Sequence, residues 1–125
     1  MVRKPTSPLR SSRDIDKSVK VFREKNVDSL FSISKHLEHP YSAINVKKKL
    51  KLQFLIKRKT RFLRRQDFDV DSYFHNGAIF ITKKKLIIKN KIYNTSNHGF
   101  YVMPKIRSIE LDEKEDIEIV KKLLK

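Results

Sequence analysis

The chain has 125 residues and a mass of 14.9 kDa, the size of one domain or of part of a larger one. It contains no cysteine, which excludes disulfides, thiolate metal ligands and a cysteine nucleophile. Its two glycines, Gly77 and Gly99, are too few for a Gly-rich phosphate loop. Apolar runs are only a few residues long and the first residues lack the apolar core of a signal peptide, so the sequence predicts a cytoplasmic chain without membrane segments.

Charge is the strongest compositional feature. Thirty Lys and Arg against fourteen Asp and Glu give a net charge of +16, and residues 47–65 contain ten basic and no acidic side chains. Such a segment could neutralise several phosphates, so a small basic nucleic-acid-binding protein is one hypothesis. However, 21 Lys against 9 Arg, with 13 Ile and 2 Ala, is typical of an AT-rich coding bias that raises lysine everywhere. A solvated basic face is therefore the favoured interpretation, and nucleic acid is not the expected partner.

A helix is predicted to begin after Ser11 and Ser12. Its apolar side chains recur at i, i+4 and i+7, and they are Ile15, Val19 and Phe22. A serine hydroxyl can accept hydrogen bonds from the free amides of the first turn, and Asp14 and Asp16 suit its positive end. Asn26 is the predicted end of the helix.

The rest of the chain alternates strand and helix patterns. Residues 29–34 and 100–103 predict short strands, and residues 77–82 predict a buried strand. Residues 43–56 alternate apolar and basic side chains, which indicates a hairpin with one apolar face, and residues 83–90 predict a short helix. This alternation favours an α/β layer structure.

A last helix is predicted after residue 112. Asp112 and Glu115 have the spacing of a capping box, in which each side chain accepts a hydrogen bond from the backbone amide of the other residue. The apolar side chains that follow lie on one stripe, and they are Ile117, Val120, Leu123 and Leu124.

Three short clusters could carry chemistry. The Pro-rich turn (residues 5–10) offers the hydroxyls of Thr6 and Ser7 and the guanidinium of Arg10, which suit a polar or carboxylate ligand, although a capped loop would look the same. Arg65 and Gln66 belong to a dense set of donors at residues 64–67, which could also be plain surface.

The third cluster is a pair of carboxylates. Glu110 and Asp112 are two residues apart, so in an extended segment they point to the same side. Two carboxylates at the end of a strand can hold a divalent cation, although Asp112 could instead simply cap the last helix.

Four segments in one order and at suitable intervals resemble a known family. They are Pro5-Thr6-Ser7-Pro8-Leu9-Arg10, Arg64-Arg65-Gln66-Asp67, Asn76-Gly77-Ala78-Ile79-Phe80-Ile81 and Ser108-Ile109-Glu110-Leu111-Asp112. The chain resembles the acylneuraminate cytidylyltransferases, also called CMP-sialic acid synthetases, from about residue 5 to its end. The resemblance covers only the later part of the family's catalytic domain.

The resemblance implies the C-terminal part of a Rossmann-like nucleotidyltransferase domain, with a mixed sheet and a basic β-hairpin insertion, spanning residues 1–125. It also implies a cytoplasmic homodimer that joins a sialic acid to CTP with Mg²⁺ and releases pyrophosphate. The family's N-terminal, phosphate-binding half has no counterpart in the sequence. The resemblance therefore predicts a chain that is inactive alone, with that half separately encoded or lost.

The family's functional residues transfer by position. The Pro-rich turn with Thr6, Ser7 and Arg10 corresponds to a sugar-site turn, and the matching sugar-binding residues further on are Arg65, Gln66, Asn76 and Gly77. Glu110 and Asp112 fall on the two metal-binding carboxylates.

The chain also departs from the family pattern. Lys4, Phe74, Phe80 and Glu110 stand where Gln, Arg, Tyr and Asp are usual. These differences leave a related nonulosonic acid, such as legionaminic acid, as an alternative substrate.

Overall fold

The computed structural model describes residues 2–3, 6–36, 38–47, 51–56, 71–89 and 95–124. It contains two compact units, one formed by residues 1–34 with 75–125 and the other by residues 35–74. The predicted α/β class, with a mixed sheet and a separate two-stranded hairpin, is confirmed.

The described residues contain three helices and six strands. The helices are α1 (Ser12–Glu24), α2 (Lys84–Ile88) and α3 (Lys114–Leu123), and the strands are β1 (Val2–Arg3), β2 (Ser29–Lys35), β3 (Ile44–Lys47), β4 (Lys51–Phe54), β5 (Tyr73–Thr82) and β6 (His98–Val102). Short 3₁₀ turns lie at Pro40–Ser42 and Lys105–Ser108. Among these residues no helix is long and apolar enough to cross a membrane.

The main sheet has the strand order β1-β5-β2-β6. Strand β1 runs antiparallel to β5, whereas β6 runs parallel to β2 with Ser29 opposite His98 and Ile33 opposite Val102. A parallel pair places the carboxyl ends of both strands at the same edge, and Met103 closes that edge by donating from its amide to the Ile33 carbonyl (2.8 Å).

Helix α1 forms as its sequence predicts. Ser11 is the N-cap, its hydroxyl accepts from the Asp14 amide (3.2 Å), and the Asp14 carboxylate accepts from the Ser11 amide (3.0 Å). Asn26 follows the helix with φ of 46°, the left-handed conformation that commonly ends helices. A serine cap and the end at Asn26 are therefore confirmed, whereas the helix begins at Ser12, one residue earlier than the sequence predicts.

A cluster of buried apolar residues forms the core, and α1 packs against it. Its buried members are Val27, Leu30, Ala78, Ile79, Ile81 and Met103. The apolar stripe of α1 packs against them through Ile15, Val19 and Phe22, so the i, i+4, i+7 pattern marks the face that the helix buries.

One face of the main sheet is aromatic. The ring of Phe31 stacks on that of Phe80 (centroids 4.8 Å apart) and lies near the rings of His75 (4.7 Å) and His98 (5.4 Å). Phe100, opposite Phe31 in the register, is 61% exposed. This face is therefore much more open to solvent than the core.

The smaller unit contains the predicted hairpin, which is confirmed. Strands β3 and β4 pair antiparallel with Ile44 opposite Phe54. Residues 48–50 and 57–65 of the basic segment lie outside the described residues. His39 accepts from the Tyr41 amide (3.3 Å) at the Pro40–Ser42 turn.

The predicted cap of α3 is wrong by one residue. The carboxylate that closes the first turn belongs to Asp116, whose Oδ2 accepts from the amides of Glu113 (2.8 Å) and Asp112 (3.0 Å). Glu113 is the N-cap, and Asp112 lies before it, outside the helix and exposed. Because residue pairs 112/115 and 113/116 both carry acidic side chains at capping-box spacing, the sequence alone does not distinguish them.

Candidate functional site

The Pro-rich turn, described from residue 6, is bonded at both ends. The Thr6 carbonyl accepts from the Leu111 amide (2.8 Å). The Arg10 guanidinium donates to the carbonyl of Ala78, in the segment that begins with Asn76 and Gly77. The fold thus brings together three of the segments singled out in the sequence: the turn, residues 76–78 and residues 110–112.

Ser7 lies deep in this turn. Its side chain is 3% exposed, and its Oγ has no hydrogen-bond partner among the described residues. A buried polar atom without a partner costs about 1–3 kcal/mol, so such atoms call for a water or a ligand. Thr6 and Arg10 on either side are half-buried and therefore reachable from solvent.

Asn76 is a structural link between three parts of the fold. It is 1% exposed, and its Oδ1 accepts from Ser32 Oγ on β2 (2.6 Å) and from the Ala78 amide (3.3 Å). Its Nδ2 donates to Ser108 Oγ (2.8 Å) in the Lys105–Ser108 turn. The structure places Asn76 beside the turn's anchor at Ala78, while its role as a direct substrate ligand stays a prediction.

Gly77 has φ of 63°, in the left-handed region that favours glycine. This conformation accompanies the local bond between the Asn76 side chain and the Ala78 amide, two residues on. The glycine therefore has a backbone reason to be present, whether or not a ligand approaches it.

The two predicted metal ligands, Glu110 and Asp112, flank Leu111. The Leu111 amide donates to the Thr6 carbonyl of the Pro-rich turn. Glu110 is half-buried, whereas Asp112 is exposed. No group of three or more potential metal-ligating side chains occurs among the described residues. Mg²⁺ binds through one or two protein carboxylates and keeps several waters, so this donor pair fits that ion chemically.

Arg65 and Gln66, the remaining predicted sugar-binding residues, lie outside the described residues. Lys4, just before the Pro-rich turn, also lies outside the described residues. Their predicted roles are therefore unchanged by the structure.

Sequence reasoning missed a buried charged cluster beside the turn. Asp14 is fully buried, and Arg107 donates to it from Nε and Nη2 (both 2.8 Å) while Tyr101 donates from its hydroxyl (3.1 Å). One signal was available: Asp14 and Ser18 share the helix face of Ile15 and Val19, and an acidic residue on a buried face needs a cationic partner.

Electrostatics of this cluster follow from its bonding. Burial alone would raise the pKa of Asp14, but hydrogen bonds from Arg107, Ser11 and Tyr101 outweigh it and hold that pKa well below its usual value. Burial, and then the bond to Asp14, raise the pKa of Tyr101. Asp14 is therefore a permanent carboxylate at ordinary pH.

Comparison with known proteins confirms the resemblance to cytidylyltransferases. The chain is 32% identical over 111 residues to proteins named N-acylneuraminate cytidylyltransferase from Streptococcus agalactiae serotypes III and Ia, covering 89% of this chain and 26% of each relative. It is 27% identical over 120 residues to "Post-translational flagellin modification protein B" of Campylobacter coli, covering 96% of this chain and 50% of that protein. No protein-family model matches the chain.

The chain thus spans about a quarter of the length of the streptococcal relatives and half of the Campylobacter relative. The similarity includes most of the described residues, because it covers nine-tenths of the chain.

Proposed function

We propose that this chain forms the sugar-acid side of a cytidylyltransferase that joins a sialic acid to CTP and releases pyrophosphate. One observation carries the proposal: the Pro-rich turn is bonded to Leu111 at one end and to Ala78 at the other. These bonds join three segments that resemble family motifs. The chain is also similar over 111 residues to N-acylneuraminate cytidylyltransferases.

In this proposal the turn binds the sugar acid. A guanidinium matches the geometry of a carboxylate, so the proposed partner of the sugar-acid carboxylate is Arg10, whose side chain also donates to the Ala78 carbonyl. The Thr6 and Ser7 hydroxyls suit sugar hydroxyls, and the buried Ser7 Oγ gains a partner when the ligand is bound. Arg65, Gln66, Asn76 and Gly77 complete the proposed sugar site by resemblance.

Glu110 and Asp112 are the proposed Mg²⁺ ligands of the complete enzyme. When bound, the ion would neutralise charge on the triphosphate and on the leaving pyrophosphate. Within this chain, the Thr6–Leu111 bond holds the carboxylate segment next to the sugar-site turn. In an active assembly, Asp112→Asn should therefore fold normally, lose most turnover and require more Mg²⁺.

The chain is proposed to need further polypeptide for catalysis, in the same protein or supplied separately. The relatives are two to four times as long as the matched region, and the resemblance places their phosphate-binding residues outside it. A homodimer is also proposed, with the hairpin at its contact. Ile44, Phe54 and Leu55 are 46%, 47% and 64% exposed, which gives the hairpin an apolar surface suited to that contact.

Legionaminic acid, another nonulosonic acid, is the alternative substrate. Phe74 and Phe80 support it, since they stand where Arg and Tyr are usual in the family and lack the polar groups of those residues.

The test is a titration of the ¹⁵N-labelled chain followed by two-dimensional NMR. N-acetylneuraminate should shift the amides of residues 6–10 and 76–78, and Arg10→Met should abolish the shifts. Legionaminic acid run in parallel ranks the two sugars. If neither acid shifts these amides, while an oligonucleotide at physiological salt shifts residues 47–65 with a Kd below about 10⁻⁷ M, the chain is a nucleic-acid-binding protein instead.

A further inference from the structure

We propose that Asp14, Arg107 and Tyr101 form a positioning network that fixes the Pro-rich turn against residues 76–78 and so sets the affinity for the sugar acid. The positioning follows from contacts within this chain. The effect on affinity rests on the proposed function.

A single buried carboxylate gathers three parts of the fold. Asp14 Oδ2 accepts from the Ser11 amide (3.0 Å), from Ser11 Oγ (2.7 Å) and from Arg107 Nε (2.8 Å). Its Oδ1 accepts from Arg107 Nη2 (2.8 Å) and from the Tyr101 hydroxyl (3.1 Å). The start of α1, strand β6 and the Lys105–Ser108 turn are thereby joined at one point.

Two routes lead from this carboxylate to the candidate site. Ser11 directly follows Arg10, so the Asp14–Ser11 bonds fix where the Pro-rich turn ends and where the Arg10 side chain starts. Arg107 directly precedes Ser108, whose Oγ accepts from Asn76 Nδ2 (2.8 Å). The same ion pair therefore holds both partners of the contact between Arg10 and the Ala78 carbonyl.

A helix cap alone does not require this arrangement. The Ser11 hydroxyl already accepts from the Asp14 amide, and a neutral side chain can complete a cap. Burying a charge is unfavourable unless it is paired in good geometry, and the planar Arg107 fork supplies that geometry in only one orientation. The pair therefore restricts the relative position of α1 and the Lys105–Ser108 turn more tightly than apolar packing would.

The test compares Arg107→Lys, which keeps the charge but loses the two-pronged fork, with Arg23→Lys on the exposed surface of α1. Amide hydrogen exchange is measured at Leu111, bonded to Thr6, and at Ala78, bonded to Asn76. The Met103 amide, bonded to Ile33 in the sheet, reports global opening. Arg107→Lys should speed exchange at Leu111 and Ala78 at least tenfold relative to Met103, and Arg23→Lys should change none of them.

Affinity for N-acetylneuraminate is then measured for Arg107→Lys, Arg10→Lys and the double variant. Each single change should weaken binding about tenfold, and the double variant should be weakened about tenfold to twentyfold, because both act on one contact. Tyr101→Phe leaves the ion pair intact, and it should weaken N-acetylneuraminate binding about threefold, again without an additive loss when combined with Arg10→Lys. It replaces Arg107→Lys in the test if that variant does not fold.

Three results would overturn the network. They are unchanged exchange at Leu111 and Ala78, exchange that rises equally at Met103, or a double variant weakened a hundredfold. If the unaltered chain does not bind the sugar acid, the proposed function fails together with the affinity effect, while the exchange measurement still decides the positioning.

Discussion

Replacing Asn76 with alanine tests whether this residue is a structural link or only a ligand. The side chain is 1% exposed and makes hydrogen bonds to Ser32, Ser108 and the Ala78 amide. If it served only a ligand, its removal would leave the free energy of unfolding unchanged. The contacts instead predict a clear loss of stability.

The size of the loss follows from those bonds. Three hydrogen bonds at about 1 kcal/mol each give about 3 kcal/mol. Ser32 keeps the Ile79 amide as a partner and Ser108 keeps the Pro104 carbonyl, so the loss of their bonds to Asn76 adds little further to the cost. For a chain of this size, about 4 °C per kcal/mol corresponds to a fall in Tm of about 12 °C.

Urea unfolding followed by circular dichroism measures this directly, with Asn45→Ala as the control. Asn45 lies exposed on β3, so its replacement should change stability by less than about 0.5 kcal/mol. An Asn76→Ala chain as stable as the unaltered one would show that the network through Asn76 contributes nothing and that the residue serves only a ligand.

Three further changes have defined outcomes. Folding lowers the pKa of Asp14, so its contribution to the free energy of unfolding is complete above the unfolded pKa of about 3.9 and is lost as the pH falls below that value. The stability difference between the unaltered chain and Asp14→Asn should therefore shrink between about pH 5 and pH 2 in thermal melts. A constant difference would contradict the ion pair. Gly77→Ala forces a side chain into φ of 63° and should cost about 1–2 kcal/mol in urea unfolding, whereas no loss would mean that the backbone relaxes freely. A Cβ at Gly99 would lie 2.9 Å from Val27 Cγ2, so Gly99→Ala should cost about 1–3 kcal/mol, and Val27→Ala should reduce that cost if the clash is its cause.

Local signals in the sequence predicted the local structure well. The serine cap of α1 and its end at Asn26 depend on side chains within one turn, and the hairpin at β3 and β4 depends on alternation. The cap of α3 was misplaced because two overlapping residue pairs satisfy the same rule. Local rules therefore locate an element but do not fix its boundary.

Contacts between distant residues were outside the reach of such rules. The Asp14–Arg107 pair joins residues 93 positions apart, and nothing in the spacing selects Arg107 from the chain's many cations. The proximity of the Pro-rich turn to residues 76–78 and 110–112 was expected only from the family resemblance. The structure supplies its physical basis in the Arg10–Ala78 and Leu111–Thr6 bonds.

Pyrophosphate release from CTP and N-acetylneuraminate, with Mg²⁺, tests the central claim most directly. The chain alone should release none, because losing even one donor that stabilises transition-state charge typically costs about 100–1000-fold in turnover. Adding the segment of a Streptococcus agalactiae relative that precedes its matched region, as a separate or fused polypeptide, should restore release that Asp112→Asn abolishes. Turnover by the chain alone, or no turnover with either nonulosonic acid in a folded assembly, would contradict the account.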